Sequence, residues 1–293
     1  LHYRLQRRFG GLRDPRREIG LKIDDWEQMV RQLRDASLDI RGARLLEIGS
    51  GWYPTLPLAC HLAGAARVHT CDLNRLLKPE LMRLCIDELQ RHLPRIAAAC
   101  EAPLPEVEAR HARLRAAAAH SDDPATLTEG TIDYRAPADV ADDPDLADGS
   151  VDAVFSNSVL EHVPPEAIAR IHRASLRLLR PGGWIFHSVN CGDHYAYVDP
   201  RIHQLHYLRF GAREWAFWNN RFLYQNRLRA HQFVDGAREA GFEIVLDTAH
   251  PRPQRLAQLQ AMTVAPEFAH IPPERLCVTT VDFIGRKPAA PVG

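Results

Sequence analysis

Leu45-Leu-Glu-Ile-Gly-Ser-Gly51 decides the reading of this chain: an apolar run carrying one acidic side chain leads into two glycines spaced one residue apart. A short apolar run of this kind reads as a strand. Gly49 and Gly51 let the backbone turn sharply and come close to a ligand, while Glu47 puts a carboxylate at the carboxyl end of the strand. A dinucleotide fingerprint asks for a third glycine three residues on, where a pyrophosphate meets a helix start. Pro54 stands there instead, behind Trp52 and Tyr53. The stretch therefore reads as a cofactor cradle to which phosphate is the poorer fit.

Outward from it, Arg67-Val-His-Thr-Cys-Asp72 is a second β-type run ending in a carboxylate, roughly 20 residues after the glycines, the spacing at which a Rossmann-type unit holds a ribose. Asp72 can accept from both ribose hydroxyls. Glu47-x-Gly49-x-Gly51 together with Asp72 resembles the opening motifs of the class I S-adenosylmethionine-dependent methyltransferases. Val151-Asp-Ala-Val-Phe-Ser156, followed by Asn157-Ser-Val-Leu-Glu-His162-Val, is similar to that family's fourth strand and the loop after it. Leu179-Arg-Pro-Gly-Gly-Trp184-Ile-Phe-His187 is similar to its helix end, turn and fifth strand. Each motif alone is weak; four in the right order make the resemblance specific.

The resemblance implies an α/β fold: a Rossmann-like seven-stranded methyltransferase sheet, mostly parallel with one antiparallel strand, carrying a helical N-terminal cap and insertions. It implies S-adenosyl-L-methionine as cofactor, held by Glu47, Gly49, Ser50, Gly51, Asp72, Leu73, Asp139 and Asn157. In the family an acid after the third strand meets the adenine. Asp139 is the first candidate here, with Asp142 and Asp143 close behind.

The 293 residues, 45% of them hydrophobic, suffice for one enlarged domain. Lys plus Arg and Asp plus Glu both total 37, so no overall basic field argues for a nucleic-acid partner. Arg4, Arg7, Arg8, Arg13, Arg16 and Arg17 crowd the start; a solvated face is the preferred reading over an anion-binding patch. No window holds the roughly 18 uninterrupted apolar residues of a membrane span, and the six cysteines lack metal or disulfide spacing. A cytoplasmic protein with reduced, mostly buried thiols is expected. Because Leu1 is not an initiator methionine, preceding sequence could be absent, and nothing firm follows about targeting.

Residues 1–42 are expected to form the N-terminal cap and 43–293 the Rossmann-like domain. Leu21, Ile23, Trp26, Met29, Val30 and Leu33 predict an amphipathic helix over 20–40, ended by Arg41-Gly42. Leu81, Leu84, Cys85, Leu89 and Leu93 repeat at helical spacing until Pro94, and 105–119 is again helical, so 79–121 reads as a two-helix insertion, either a lid or a packing element. Strands are expected near 131–134, 184–189, 242–246 and 276–284, with the Pro-rich 250–275 as a surface excursion.

Methyl transfer from a sulfonium is an in-line substitution at an activated carbon, so the protein chiefly holds the reactants and excludes water. A hydroxyl acceptor profits from a nearby base; a carboxylate acceptor needs none. Residues 187–231 are rich in histidine and aromatics, and 191–225 is read as an acceptor-side insertion. His162, His194 and His203 are the catalytic candidates. Trp215, Phe217, Trp218 and Phe222 fit a pocket wall and a core helix pair equally. His203-x-x-His206 could ligate a metal from one helical face, but no cysteine pair joins it, so no metal is expected and chelation should leave activity intact. The sequence reads as an enzyme of methyl transfer to a small-molecule acceptor, to oxygen ahead of nitrogen, with a homodimer as an open oligomeric option. The alternatives are a Rossmann-type NAD(P) oxidoreductase and a catalytically inactive S-adenosylmethionine-binding protein.

Overall fold

The protein is described here from a computed structural model, which covers residues 12–219 and 224–289. Arg4, Arg7, Arg8 and Phe222 lie outside the described residues. Seven strands are present: β1 Arg44–Ile48, β2 Arg67–Cys71, β3 Ile132–Arg135, β4 Val151–Asn157, β5 Leu179–Asn190, β6 Glu243–Asp247 and β7 Thr280–Arg286. Their order is β3-β2-β1-β4-β5-β7-β6. β1, β2 and β3 pair in parallel, whereas β7 runs antiparallel to both β5 and β6. This is the mixed sheet that the motifs imply. The chain divides into two compact units, residues 1–155 with 178–180, and residues 156–177 with 181–293.

In the first unit, Leu45, Leu46 and Ile48 are buried, as a strand covered on both faces requires. The helix ahead of it runs Pro15–Asp35 and buries Ile19, Ile23, Trp26, Met29, Val30 and Leu33. The Asp14 carboxylate accepts from Arg17 N at 3.1 Å and Pro15 opens the first turn, where its missing N–H leaves no bond unmade. The helix ends earlier than its sequence suggests. Ser37 enters the left-handed region at φ 73° and Leu38 N returns to Leu33 O at 2.9 Å, closing the last turn before Arg41-Gly42. Residues 79–121 hold three helices rather than two, Pro79–Leu89, Leu93–Ala99 and Leu104–Ala118. Pro94 sits in the first turn of the middle one, where proline starts a helix instead of breaking it. All three pack on the Thr55–Ala63 helix that follows the glycines, and the first two also pack on Pro15–Asp35.

In the second unit, the Ala230–Glu239 helix lies against β6 and β7. The Pro-rich 250–275 is not a bare surface excursion. It holds the Pro253–Gln260 helix and puts Leu259, Ala265, Phe268 and Ile271 into one buried cluster with Leu205, Tyr207, Leu208 and Trp215. Trp215 is therefore core, while Phe217 and Trp218 of the same short helix are exposed. All six cysteines are unpaired and buried. No helix among the described residues is long and apolar enough to cross a membrane.

Candidate functional site

The first unit carries the glycine loop at the carboxyl ends of β1 and β2. Gly49 N donates to Cys71 O at 2.7 Å, so the turn begins where the ladder ends. Gly49 and Gly51 take φ 86° and 63°, a region that strains any residue with a Cβ. A Cβ placed on Gly51 would meet nothing within 4 Å, so open space lies beside the loop.

Asp72 reaches back to this loop. Its Oδ2 accepts from Gly51 N at 3.0 Å and its Oδ1 from Asn74 N at 2.8 Å. A carboxylate oxygen has about two acceptor positions, so each keeps one for a ribose hydroxyl. Burial raises the Asp72 carboxyl above its ordinary value, and the two backbone N–H groups work against that rise. Leu73 beside it is 65% exposed, an apolar surface next to the carboxylate.

Glu47 and Ser50 lie beneath the loop. Glu47 is only 4% exposed and accepts a short hydrogen bond from the Thr70 hydroxyl, which also bonds Ser50 Oγ at 2.6 Å. Burial pushes the Glu47 carboxyl up to about 7, against the lowering effect of the Thr70 bond. Glu47 and Ser50 thus brace the turn through Thr70, the cross-strand partner of Glu47.

The loop after β3 is tied to the same edge: Ala138 N donates to Asp72 O at 2.8 Å, and Asp139 Oδ1 accepts from Ala141 N at 2.9 Å. The neighbouring acids separate by partner. Asp143 gives both its oxygens to Arg135, at 3.0 and 2.9 Å, and is engaged in a nearly buried ion pair.

The second unit carries the loop after β4. Asn157 ends that strand, Ser158 follows at φ 54°, and Leu160–His162 form a single 3-10 turn. Asn226 staples this turn: its backbone N donates to Glu161 O at 2.9 Å, and its Nδ2 donates to Leu160 O at 2.7 Å and Val163 O at 2.8 Å. His162 Nδ1 lies 2.7 Å from Tyr224 O. A carbonyl only accepts, so Nδ1 carries the proton and Nε2 keeps its lone pair. Partial desolvation lowers the His162 pKa, with the Tyr224 carbonyl opposing.

His194 packs edge-on to His162 with ring centroids 4.9 Å apart. Burial, and then the neighbouring His162, hold its pKa down at about 4. His203 stands apart from this pair; its Nδ1 accepts from Leu205 N at 3.2 Å, and burial lowers its pKa.

Three residues of the histidine-rich and arginine-rich stretch turn out to be structural. His187 is fully buried, bonded through Nδ1 to Ser156 Oγ at 2.7 Å and stacked near Phe283 and His172. Arg229 is fully buried and donates to Cys191 O, Tyr207 Oη and Val278 O at 2.8, 2.6 and 2.5 Å. Arg227 donates to Tyr207 O, Phe210 O and Glu267. Glu161, which the motifs do not single out, adjoins His162. It is 1% exposed, and its Oε1 accepts from Asn190 N at 3.4 Å. A carboxylate next to an imidazole just after a strand end was the signal available.

A family model described as a methyltransferase domain matches residues 23–246, most of the chain. This chain is a class I S-adenosylmethionine-dependent methyltransferase. No curated protein matches the sequence. Among solved structures, a protein assigned as a sarcosine dimethylglycine methyltransferase from Galdieria sulphuraria is similar in fold, with TM-score 0.51 and 14% identity over 93% of this chain and 88% of that one. An S-adenosylmethionine-dependent methyltransferase from Mesorhizobium loti has TM-score 0.44 and 20% identity over 87% of this chain and 95% of that one. The cofactor of this methyltransferase is S-adenosyl-L-methionine, and the loop fits it: open space at Gly51 and spare acceptor positions on Asp72 suit a ribose-bearing ligand.

Proposed function

We propose that this methyltransferase transfers a methyl group to a hydroxyl oxygen of a small molecule in the cytoplasm. The bound cofactor supplies an electrophilic methyl on a sulfonium. Gly49, Gly51 and Asp72 hold its ribose end, with Leu73 and Asp139 toward the adenine, Asn157 as a further contact, and Glu47 and Ser50 shaping the loop from beneath.

On the acceptor side the reading rests on His162. Its Nδ1 proton is engaged by the Tyr224 carbonyl, which leaves the Nε2 lone pair of an accessible ring for a proton. Its lowered pKa keeps it neutral at physiological pH, the form a base requires. Nε2 takes the hydroxyl proton as the oxygen–methyl bond forms and the carbon–sulfur bond breaks. His194 and His203 belong to the same acceptor-side segment. The equal totals of acidic and basic residues support a small-molecule acceptor over nucleic acid, and six free cysteines suit a reducing compartment.

The test is transfer from labelled S-adenosylmethionine to a panel of hydroxylated and amine-bearing small molecules. His162→Ala is expected to lower kcat/KM about a hundredfold on a hydroxyl acceptor while cofactor affinity stays near wild type. Equal loss of cofactor affinity and melting temperature would remove His162 from the chemistry, and methylation confined to amines would overturn the oxygen assignment.

A further inference from the structure

Glu161, His162 and His194 each offer one ligand atom, and the three atoms lie within 4.8 Å of one another. Among the described residues this is the group of metal-ligating side chains that converges; His203 and His206, the pair singled out by spacing, are not in it. We propose that Glu161, His162 and His194 hold a divalent transition-metal ion through two imidazole nitrogens and one carboxylate oxygen, with coordination positions left open for an acceptor oxygen.

Four observations carry this. First, the hydrogen bond from His162 Nδ1 to the Tyr224 carbonyl fixes the tautomer and aims the Nε2 lone pair, the arrangement in which a carbonyl orients a ligating imidazole from behind. Second, His194 Nε2 is buried and has no hydrogen-bond partner. A buried polar atom left so carries an uncompensated desolvation cost, which an ion at that nitrogen removes.

Third, the three ligands stand on fastened backbone. Asn226 fixes the 160–163 turn, Asn190 N donates to Glu161 Oε1, and Gln225 ties down His194 by accepting its N–H at 3.3 Å while donating to Gly192 O. Fourth, the donor set is selective. Two imidazoles with one carboxylate suit zinc, cobalt, iron or manganese, whereas magnesium and calcium prefer oxygen throughout.

Ligand atoms about 2.1 Å from a tetrahedral ion sit roughly 3.4 Å apart, so side-chain rotations of about an ångström close the set.

What the ion does to an acceptor rests on the reading of this segment as the acceptor side; the ion site itself does not. An acceptor hydroxyl coordinated there releases its proton to solvent water and keeps its electron pair for the methyl carbon, so the ion replaces His162 as the group that activates the oxygen.

The experiment is titration of the chelator-stripped full chain with cobalt(II) and zinc(II), without any acceptor, followed by calorimetry and by the visible absorption of bound cobalt. One equivalent is expected to bind, with at least about tenfold weaker affinity in Glu161→Gln and in His194→Ala. Melting temperature and S-adenosylmethionine affinity report whether each variant folds, and His194→Gln serves if His194→Ala does not. Absence of binding to the wild-type chain, or equal binding by wild type and folded variants, would overturn the site. Failure of the methyl-transfer reading shows separately, as absent cofactor binding or absent product. Full transfer by the stripped chain would remove the ion's part in activation and return that role to His162.

Discussion

Glu47 shows at the scale of one residue how burial sets chemistry. It lies in an apolar strand with Thr70 as its hydrogen-bond donor, and its carboxyl is raised from an ordinary 4.5 to about 7. The folded chain therefore keeps a proton that the unfolded chain releases between those two values. The contribution of Glu47 to stability is fully present below pH 4.5 and is lost as the pH rises to about 7, an effect on the order of 3 kcal/mol. Glu47→Gln is expected to remove this slope, so that the wild type loses stability relative to the variant between pH 5 and 8 in denaturant titrations. A constant difference across that range would show that Glu47 is ionised in the folded state. Like residues elsewhere are sorted by partner in the same way: Asp143 is held by Arg135 and His187 by Ser156, whereas Asp72 keeps spare acceptor positions.

At the scale of the element, the Leu160–His162 turn is too short to hold its own shape. One 3-10 turn forms little internal bonding, and Ser158 ahead of it is already in a region of φ that costs energy. Asn226 supplies what is missing with three hydrogen bonds from a distant part of the chain. Asn226→Ala deletes the two side-chain bonds to the turn and takes that donor from Val163 O, while Leu160 O keeps its bond from Val163 N. It is expected to cost about 1–3 kcal/mol in chemical denaturation and to lower turnover more than cofactor affinity, since the glycine loop is untouched. A loss of cofactor affinity as large as the loss of turnover would contradict this. The 250–275 segment makes the complementary point: prolines marked it as loop, yet the apolar residues between them build a buried cluster with Trp215.

At the scale of the whole molecule, a ligand that binds only the folded chain stabilises it by mass action. S-adenosylmethionine at a hundred times its Kd contributes about 2.7 kcal/mol, a rise in melting temperature of roughly 4 °C for a chain of 293 residues. In Asp72→Ala the rise at the same concentration should shrink, because the proposed ribose contacts and the brace to Gly51 N disappear together. Scanning calorimetry with and without cofactor checks this; an undiminished rise would take Asp72 out of the cofactor site.

The strand-turn-strand around Gly49 and Gly51, the acid at the end of β2, the later motifs and the mixed sheet they imply are legible in the order of residues alone. Those features are local: a buried strand needs a run of apolar residues, a sharp turn needs glycine, and a ribose needs a carboxylate at a set distance along the chain. Only the tertiary structure decided which charged and polar side chains remain available. Arg135 took Asp143, carbonyls took Arg227 and Arg229, Ser156 took His187, and Glu161 came together with His162 and His194. The reason is that a polar side chain is satisfied by whatever donor or acceptor the fold brings to it. For Arg229, His162 and Glu161 those partners come from segments far along the chain, where no periodicity or local spacing encodes them.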